Sequence, residues 1–215
     1  MNTTLNIKKI YVVGNQHNYA DFINDHTLVD NIDEADIVIF TGGEDVDPSL
    51  YGCKKHETTY SNLNRDLAEK EIFEKIRPDQ LVVSICRGAQ FICIMNGGKL
   101  IQNVTNHAIY GTHMIYEPLT NKYYEITSTH HQMQFPFDIP EKYWSCLFYT
   151  AKTRSSKYEG DGIREPLYEP EIVLYNKPNM PKCLAIQGHP EYMRKESPIV
   201  IRLNELINDL LQNEN

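Results

Sequence analysis

The chain has 215 residues, of which 41% are hydrophobic and 23% charged, with a net charge of −8 at pH 7. This composition fits one globular domain over residues 1–215, since about 100 to 200 residues per domain is usual. An acidic chain without a basic run makes nucleic acid an unexpected partner.

The start of the chain and its cysteines bear on location. Residues 1–10 are polar with scattered apolar positions, so we expect neither a signal peptide nor a membrane span. The cysteines are odd in number and lack close C-x-x-C pairs, which argues against a disulfide framework and a zinc ribbon. We therefore expect reduced thiols and a cytoplasmic protein without membrane contact. The cysteines are Cys53, Cys86, Cys93, Cys146 and Cys183.

The first half of the chain alternates predicted strands and helices, which indicates an α/β fold with right-handed crossovers. Continuous apolar runs indicate strands buried on both faces, and apolar residues at helical spacing indicate helices. The predicted elements are strands at Ile10–Val13 and Ile37–Phe40, a helix from about Asn64 to Ile76, a strand at Leu81–Ile85, a helix after Cys86 that stops at Asn96-Gly97-Gly98, and a further element beginning with Leu100–Val104.

The second half is richer in predicted strands, with turns marked by proline and glycine. Residues 152–170 are polar and turn-rich, so we expect a surface excursion there. A last helix is predicted from about Pro198, with Ser197 as its N-cap. The predicted strands are Tyr123–Thr127, Trp144–Tyr149, Ile172–Tyr175 and Leu184–Gln187.

Cys86 follows a buried-strand pattern directly and precedes a helix. A tight strand-to-helix turn would hold the thiol out of the sheet and aim the positive helix end at the sulfur, which favours thiolate. Free cysteines are also among the most buried residues and act as small hydrophobes. From the turn alone, a nucleophile and a core residue both remain open.

His189 and Glu191 lie two residues apart, just beyond another predicted strand. The intervening Pro190 stiffens the turn. A carboxylate placed in this way can hold the imidazole in one tautomer while its other nitrogen faces a thiol. A histidine near a strand end can equally be structural, and it is the combination with Cys86 that favours catalysis.

These motifs belong to a larger ordered set. The chain resembles class I glutamine amidotransferase-like proteins, and most closely the gamma-glutamyl hydrolase family, also called peptidase family C26. The matching segments occur in family order and span most of the chain. They are Thr41–Gly52, Arg65-Asp66, Ile85–Gln90, Asn96–Gln102, Ser128–Gln132 and Gln187–Glu191.

The resemblance implies a fold and a mechanism. The fold would be a flavodoxin-like three-layer α/β/α sandwich, with a mostly parallel central sheet and a strand-rich second half. Cys86 would attack a gamma-glutamyl carbonyl, His189 would transfer protons, and Glu191 would orient His189. Backbone N–H groups of Gly42, Gly43 and Arg87 would form the oxyanion hole.

The resemblance also implies residues for the glutamyl group, namely Gln90 and the loop containing Ser128, His130 and His131. The two histidines could instead cap a strand or bond to backbone. No cofactor is implied. A metal site is not expected either, because His107, His113, His130 and His131 show no ligand spacing with a paired cysteine or carboxylate.

Several positions have a less certain place in this pattern. Arg65 and Asp66 would either position the loop from Asp45 to Tyr51 or form an exposed pair on a helix. Gly188 stands where the family usually has a bulky aromatic residue, and Ala89 where it has a larger one. We expect both changes to enlarge the space around the nucleophile.

Three functions remain open. The first is a hydrolase that cleaves a small gamma-glutamyl amide, and the second is a glutaminase subunit that takes glutamine and passes ammonia to a partner synthetase. The third is a catalytically silent binding module, which Cys86 and His189 argue against. The loop Asp45–Gly52 resembles that of the hydrolases and favours the first. Assembly as a homodimer stays open.

Overall fold

The structure, a computed structural model, describes residues 7–14 and 16–212. Residues 1–6, which carry part of the expectation about a signal peptide, lie outside the described residues. The helices are α1 (Leu63–Phe73), α2 (Arg87–Met95) and α3 (Pro198–Gln212). The strands are β1 (Lys8–Val12), β2 (His26–Leu28), β3 (Ile37–Phe40), β4 (Leu81–Ile85), β5 (Lys99–Ile101), β6 (Asn103–Val104), β7 (Ala108–Glu117), β8 (Lys122–Thr129), β9 (Met133–Phe135), β10 (Trp144–Thr150), β11 (Tyr158–Glu159), β12 (Pro170–Tyr175) and β13 (Lys182–Ile186).

A nine-stranded sheet in the order β2-β1-β3-β4-β13-β12-β10-β7-β8 forms the centre of the molecule. The five strands from β2 to β13 pair in parallel, and the pairs from β13 to β8 are antiparallel. The predicted parallel core with a strand-rich second half is therefore confirmed.

Apolar side chains of the central strands alternate between two cores, one on each face of the sheet. In β3, Ile37 and Ile39 join the core beneath α3, whereas Val38 and Phe40 join the core beneath α1 and α2. This alternation follows from the two-residue period of a strand. Helices therefore cover both faces, which confirms the three-layer sandwich.

The predicted elements differ from the observed ones mainly at their ends. The first helix ends at Phe73, and residues 74–76 continue as tight turns. The strand β7 was not predicted, because most of residues 108–112 are exposed and show no apolar alternation. Residues 152–169 lack regular structure apart from β11, and Pro170 begins β12, so most of the stretch 152–170 is irregular as expected. Among the described residues, no helix has the length and apolar character needed to cross a membrane.

Candidate active site

Cys86 occupies a strained turn between β4 and α2. Its backbone has φ +53° and ψ −110°. The other non-glycine residues with positive φ in the described chain are aspartate or asparagine, which tolerate such angles better. A conformation of this kind costs of order 1–3 kcal/mol and persists only where the surroundings enforce it. The turn therefore has the predicted strand-to-helix geometry.

Close contact between α2 and the end of β3 enforces this turn. A Cβ atom added to Gly88 would lie 2.4 Å from the carbonyl oxygen of Phe40. Only glycine allows the start of α2 to approach the backbone of β3 so closely. The backbone N–H of Cys86 also donates to the carbonyl of Ile186, at 2.8 Å, at the end of the neighbouring β13.

His189 lies just beyond β13 and contacts both predicted partners. Its Nδ1 is 2.7 Å from Oε1 of Glu191, and Cys86 lies close enough to raise the pKa of the imidazole. Thr127 fixes the backbone of His189 by accepting from its N–H at 2.6 Å and donating to its carbonyl at 3.2 Å. The ring of Tyr192 stacks on the imidazole with a centroid distance of 4.8 Å and an interplanar angle of 7°.

The environment of His189 favours its protonated form. Burial alone would lower its pKa, but the hydrogen bonds and charges of Cys86 and Glu191 raise the pKa to about 10. An imidazolium at neutral pH beside a sulfur atom stabilises negative charge on that sulfur.

A small cavity of about 180 Å³, lined mostly by polar residues, opens in front of Cys86. Cavities for drug-sized ligands are usually about 300–1,000 Å³, so this one suits a group of amino-acid size. Its lining includes Gly43, Asp45, Arg87, Gln90, His130 and His131.

Of the predicted oxyanion donors, the structure places Gly43 and Arg87 in the wall of this cavity. Arg87 is the first residue of α2, where backbone N–H groups have no acceptor within the helix. Gly42 lies outside the lining, close to the hydroxyl of Tyr19, which a Cβ atom added to Gly42 would approach to 2.7 Å. Gly43 has φ +137°, a backbone angle that favours glycine.

Arg65 stabilises the Gly42-Gly43 turn through hydrogen bonds of its guanidinium group. Its guanidinium donates to the carbonyl of Gly42 at 2.9 Å, to Glu44 at 3.0 Å and to Glu69 at 2.8 Å. The carboxylate of Asp66 accepts the backbone N–H of Asp47 at 2.8 Å. Asp66 therefore contacts the loop from Asp45 to Tyr51, whereas Arg65 contacts the preceding residues Gly42 and Glu44.

Some of the residues predicted to contact the glutamyl group reach the cavity, and one does not. Gln90 donates through Nε2 to the carbonyl of Gln132 at 2.9 Å, and His131 lies 3.0 Å from Asp45. Ser128 does not reach the cavity, because its hydroxyl is fully buried and donates to the carbonyl of His107 at 2.6 Å. Its neighbour Thr129 points to the opposite face of β8 and lines the cavity.

Neither Gly188 nor Ala89 enlarges the space around the nucleophile, so that expectation was wrong. A Cβ atom on Gly188 would lie 2.6 Å from the side chain of Ile126 and 2.8 Å from the carbonyl of Thr127. The strand β8 thus fills this space. Ala89 is fully buried in the core beneath α1 and α2, away from the cavity.

Sequence reasoning also missed two features. Asp45 lines the cavity next to His131, and three histidines cluster with two glutamates behind the cavity wall. The spacing argument against such a cluster failed because its members are far apart in the chain and meet only through the antiparallel pairing of β7, β8, β10 and β12.

Comparison with known proteins identifies a matching family and similar folds. A family model described as Peptidase C26 matches residues 21–140. Among curated proteins, Protein NtpR of Enterococcus hirae is 35% identical over 78 residues, which are 35% of this chain and 33% of that protein. The match therefore covers one third of the length of this curated relative.

Solved structures share the fold over nearly the whole chain, at low identity. A putative GMP synthase component from Thermoplasma acidophilum has a TM-score of 0.62 and 14% identity, covering 96% of this chain and 94% of that one. A glutamine amidotransferase from Thermotoga maritima has a TM-score of 0.53 and 15% identity, covering 96% and 95%. PurLQS from Thermotoga maritima has a TM-score of 0.51 and 14% identity, covering 96% and 98%.

Proposed function

Because the chain belongs to the peptidase C26 family, we propose that it is a cysteine-dependent hydrolase that cleaves a gamma-glutamyl amide to glutamate and a free amine. The observation that carries the proposal is the position of His189 between Glu191 and Cys86, beside a cavity of amino-acid size. A buried imidazolium next to a thiol is the arrangement that nucleophilic cysteine catalysis requires.

In the first half of the reaction, the sulfur of Cys86 forms a bond to the gamma-carbonyl carbon, and the carbonyl electron pair moves to oxygen. The N–H groups of Gly43 and Arg87 would bind that oxyanion. When the oxyanion collapses, the carbon–nitrogen bond breaks, and His189 donates a proton to the departing amine. The product of this step is a glutamyl thioester on Cys86.

In the second half, water attacks the thioester and gives a proton to His189. The carbon–sulfur bond breaks, glutamate leaves, and the thiolate–imidazolium pair is restored. Glu191 keeps Nδ1 of His189 engaged throughout, so that Nε2 serves both proton transfers.

The cavity offers charges for the amino and carboxylate groups of the glutamyl moiety. The hydrogen bond from His131 to Asp45 raises the pKa of His131 and favours a cation that can bind the alpha-carboxylate. Asp45 can bind the alpha-ammonium group from the same wall. Gln90 would add a neutral polar contact.

A panel of gamma-glutamyl amides with different amines, together with free glutamine, tests this function on the purified chain alone. We expect glutamate release from at least one amide, with loss of release in Cys86→Ala. Absence of glutamate from every member of the panel would refute the proposal.

The second candidate is a glutaminase subunit that delivers ammonia to a partner synthetase. It is favoured by the fold shared with the GMP synthase component and with PurLQS. The same panel separates the two functions. Release of glutamate from glutamine only, and only when a synthetase is added, would support the ammonia-delivering role and contradict the independent hydrolase.

A further inference from the structure

Three histidines and two glutamates form a buried cluster on the far side of the cavity wall. The side chains of His107, His113, His130, Glu169 and Glu171 are each at most 1% exposed. They come from the segments around β7, β8 and β12, and of the five only His130 also lines the cavity in front of Cys86. We call these five residues the histidine–glutamate cluster.

Three donor atoms of the cluster converge on one point. Nδ1 of His107 is 3.6 Å from Oε1 of Glu171, and Nε2 of His130 is 3.8 Å from the same oxygen. One ligand atom from each of the three residues can be chosen so that all lie within 4.8 Å of one another. In tetrahedral zinc sites, bonds of about 2.0–2.1 Å place neighbouring ligands roughly 3.4 Å apart. The histidine–glutamate cluster is therefore close to a coordinating geometry.

Several polar atoms of the same side chains form no hydrogen bond among the described residues, although Oε1 of Glu171 accepts from His113. Both ring nitrogens of His107, Nε2 of His130 and Oε2 of Glu171 are buried without a hydrogen bond. Buried polar side chains nearly always have a partner, and leaving one unpaired costs about 1–3 kcal/mol. Several unpaired atoms at one point indicate a missing ligand that accepts electron pairs from nitrogen and oxygen.

Neighbouring groups orient these atoms as they do in metal sites. Nδ1 of His130 lies 2.9 Å from the carbonyl of Gln132 and donates to it, which leaves a lone pair on Nε2. Nε2 of His113 lies 2.8 Å from Glu171, and Nε2 of His107 lies 3.4 Å from Glu169. Carboxylates and carbonyls that hold the second nitrogen of a ligating histidine are typical of zinc sites.

We propose that His107, His130 and Glu171 bind a divalent cation of the zinc type, with Glu169 and His113 positioning the ligands. Two imidazoles and one carboxylate form a donor set that suits Zn²⁺. His113 is also among the lining residues of an open cavity of about 710 Å³, although its side chain is fully buried.

The cation would stabilise the wall of the candidate active site. The carbonyl of Gln132 accepts from both His130 and Gln90, and His130 and Gln90 line the cavity in front of Cys86. Fixing the ring of His130 therefore fixes the orientation of that wall. This role is structural and does not depend on the reaction that the cavity carries out.

Metal binding is tested on the full chain in the Cys86→Ala background, which removes the thiol of the candidate active site as a competing ligand. The protein is stripped with a chelator and dialysed against ZnCl₂ or CoCl₂, and bound metal is quantified. We expect about one ion per chain and the visible absorption of tetrahedral Co²⁺ without a sulfur charge-transfer band. Less than a tenth of an equivalent of metal, or a sulfur charge-transfer band, would overturn the proposal.

Variants locate the site. His107→Gln and Glu171→Gln should weaken Zn²⁺ binding by at least about 100-fold, and Glu169→Gln by about 10-fold to 100-fold. His26→Gln is the matched control, since His26 lies in β2 and bonds to the carbonyl of Ile23. Equal affinity in His107→Gln and His26→Gln would contradict the proposal. If the ligand variants fail to fold, the metal content of the Cys86→Ala protein and the affinity of Glu169→Gln still decide it.

Discussion

At the scale of single residues, the charge of His189 depends on two neighbours that hold opposite ends of its ring. Glu191 and Cys86 together raise the pKa of His189 from 6.5 to about 10 against the effect of burial. Protonation of His189 therefore stabilises the folded chain fully below pH 6.5, and this contribution is lost as the pH rises to about 10. Across that interval the folded protein keeps the imidazolium that the proposed hydrolysis needs.

The pH profile of kcat/KM should report this charge. We expect activity to fall at high pH with an apparent pKa near 10 in the wild type, because deprotonated His189 cannot donate to the leaving amine. In Glu191→Gln this fall in activity should occur at lower pH, since both the charge and the hydrogen bond of Glu191 raise the pKa of His189. Glu196 is exposed, and Glu196→Gln serves as the control, which should leave the pH of this fall unchanged. If activity falls at the same pH in Glu191→Gln as in the wild type, deprotonation of His189 does not cause the fall.

Arg65 acts on the oxyanion site only through the backbone that it holds. Arg65→Ala removes the contacts to Gly42 and Glu44, which frees the turn that contains Gly43. Because small misplacements of catalytic groups are costly, we expect kcat to fall by about 10²-fold with a smaller effect on KM. Arg65→Lys should restore little, since an ammonium cannot reproduce the contacts of the guanidinium.

The control for Arg65 is Arg77→Ala, which removes an arginine paired with Asp79 away from the cavity. Steady-state kinetics of the three variants with one gamma-glutamyl amide provide the measurement. Equal kcat in Arg65→Ala and Arg77→Ala would show that the contacts of Arg65 with Gly42 and Glu44 are not needed for turnover.

At the scale of elements, the site depends on the contact between the start of α2 and the end of β3. Gly88→Ala would force a methyl group against the carbonyl of Phe40, and neither backbone can move freely in this core. We expect a loss of about 1–3 kcal/mol in the free energy of unfolding, together with reduced activity from the displaced Cys86 turn.

Urea denaturation of Gly88→Ala and Gly111→Ala makes this comparison. A Cβ on Gly111 meets no atom within 4 Å, and its φ is not positive, so its replacement should change the stability by less than about 0.5 kcal/mol. If both variants unfold at the same urea concentration, the close approach of α2 to β3 is not needed for the fold.

The elements nearest this contact were also the most predictable from sequence. The apolar run Ile37–Phe40 and the pattern before Cys86 predict β3 and β4 because both strands are buried on both faces. The strand β7 is exposed over much of its first half, so its residues carry no apolar period that sequence reasoning could detect.

At the scale of the whole molecule, a buried charge cluster joins α1 to α2. The guanidinium of Arg87 pairs with both Asp66 and Glu69, and the three side chains are at most 7% exposed. Removing the cation would leave Asp66 buried without a counter-charge and Glu69 paired with Arg65 alone. Losing only one partner of a buried ion pair strongly destabilises a protein, because the other charge stays buried without compensation.

Arg87→Met should therefore lower the free energy of unfolding by about 3–5 kcal/mol, measured from urea denaturation curves. Arg77→Met, which removes an exposed ion pair with Asp79, should leave the midpoint almost unchanged. A loss of less than about 1 kcal/mol in Arg87→Met would contradict the role given to this charge cluster.

How far the candidate site could be predicted depended on whether its residues lie in short motifs. Cys86, His189 and Gly43 occur in such segments, and the fold brings those segments to the ends of adjacent strands. Strand register decides to which face of β8 Ser128 and Thr129 point. Strand pairing decides whether the residues of the histidine–glutamate cluster meet. Register is set by the packed sheet, which one sequence without a strong alternating pattern does not specify.

The nucleophilic role of Cys86 is tested most directly by intact-mass and peptide mass spectrometry of enzyme quenched in acid during turnover of a gamma-glutamyl amide. We predict one glutamyl group attached to the peptide that contains Cys86, and no such group in Cys86→Ala, whose turnover should be lower by at least about 10⁴-fold. A Cys86→Ala protein that releases glutamate at the wild-type rate, or a glutamyl group attached at another residue, would contradict it.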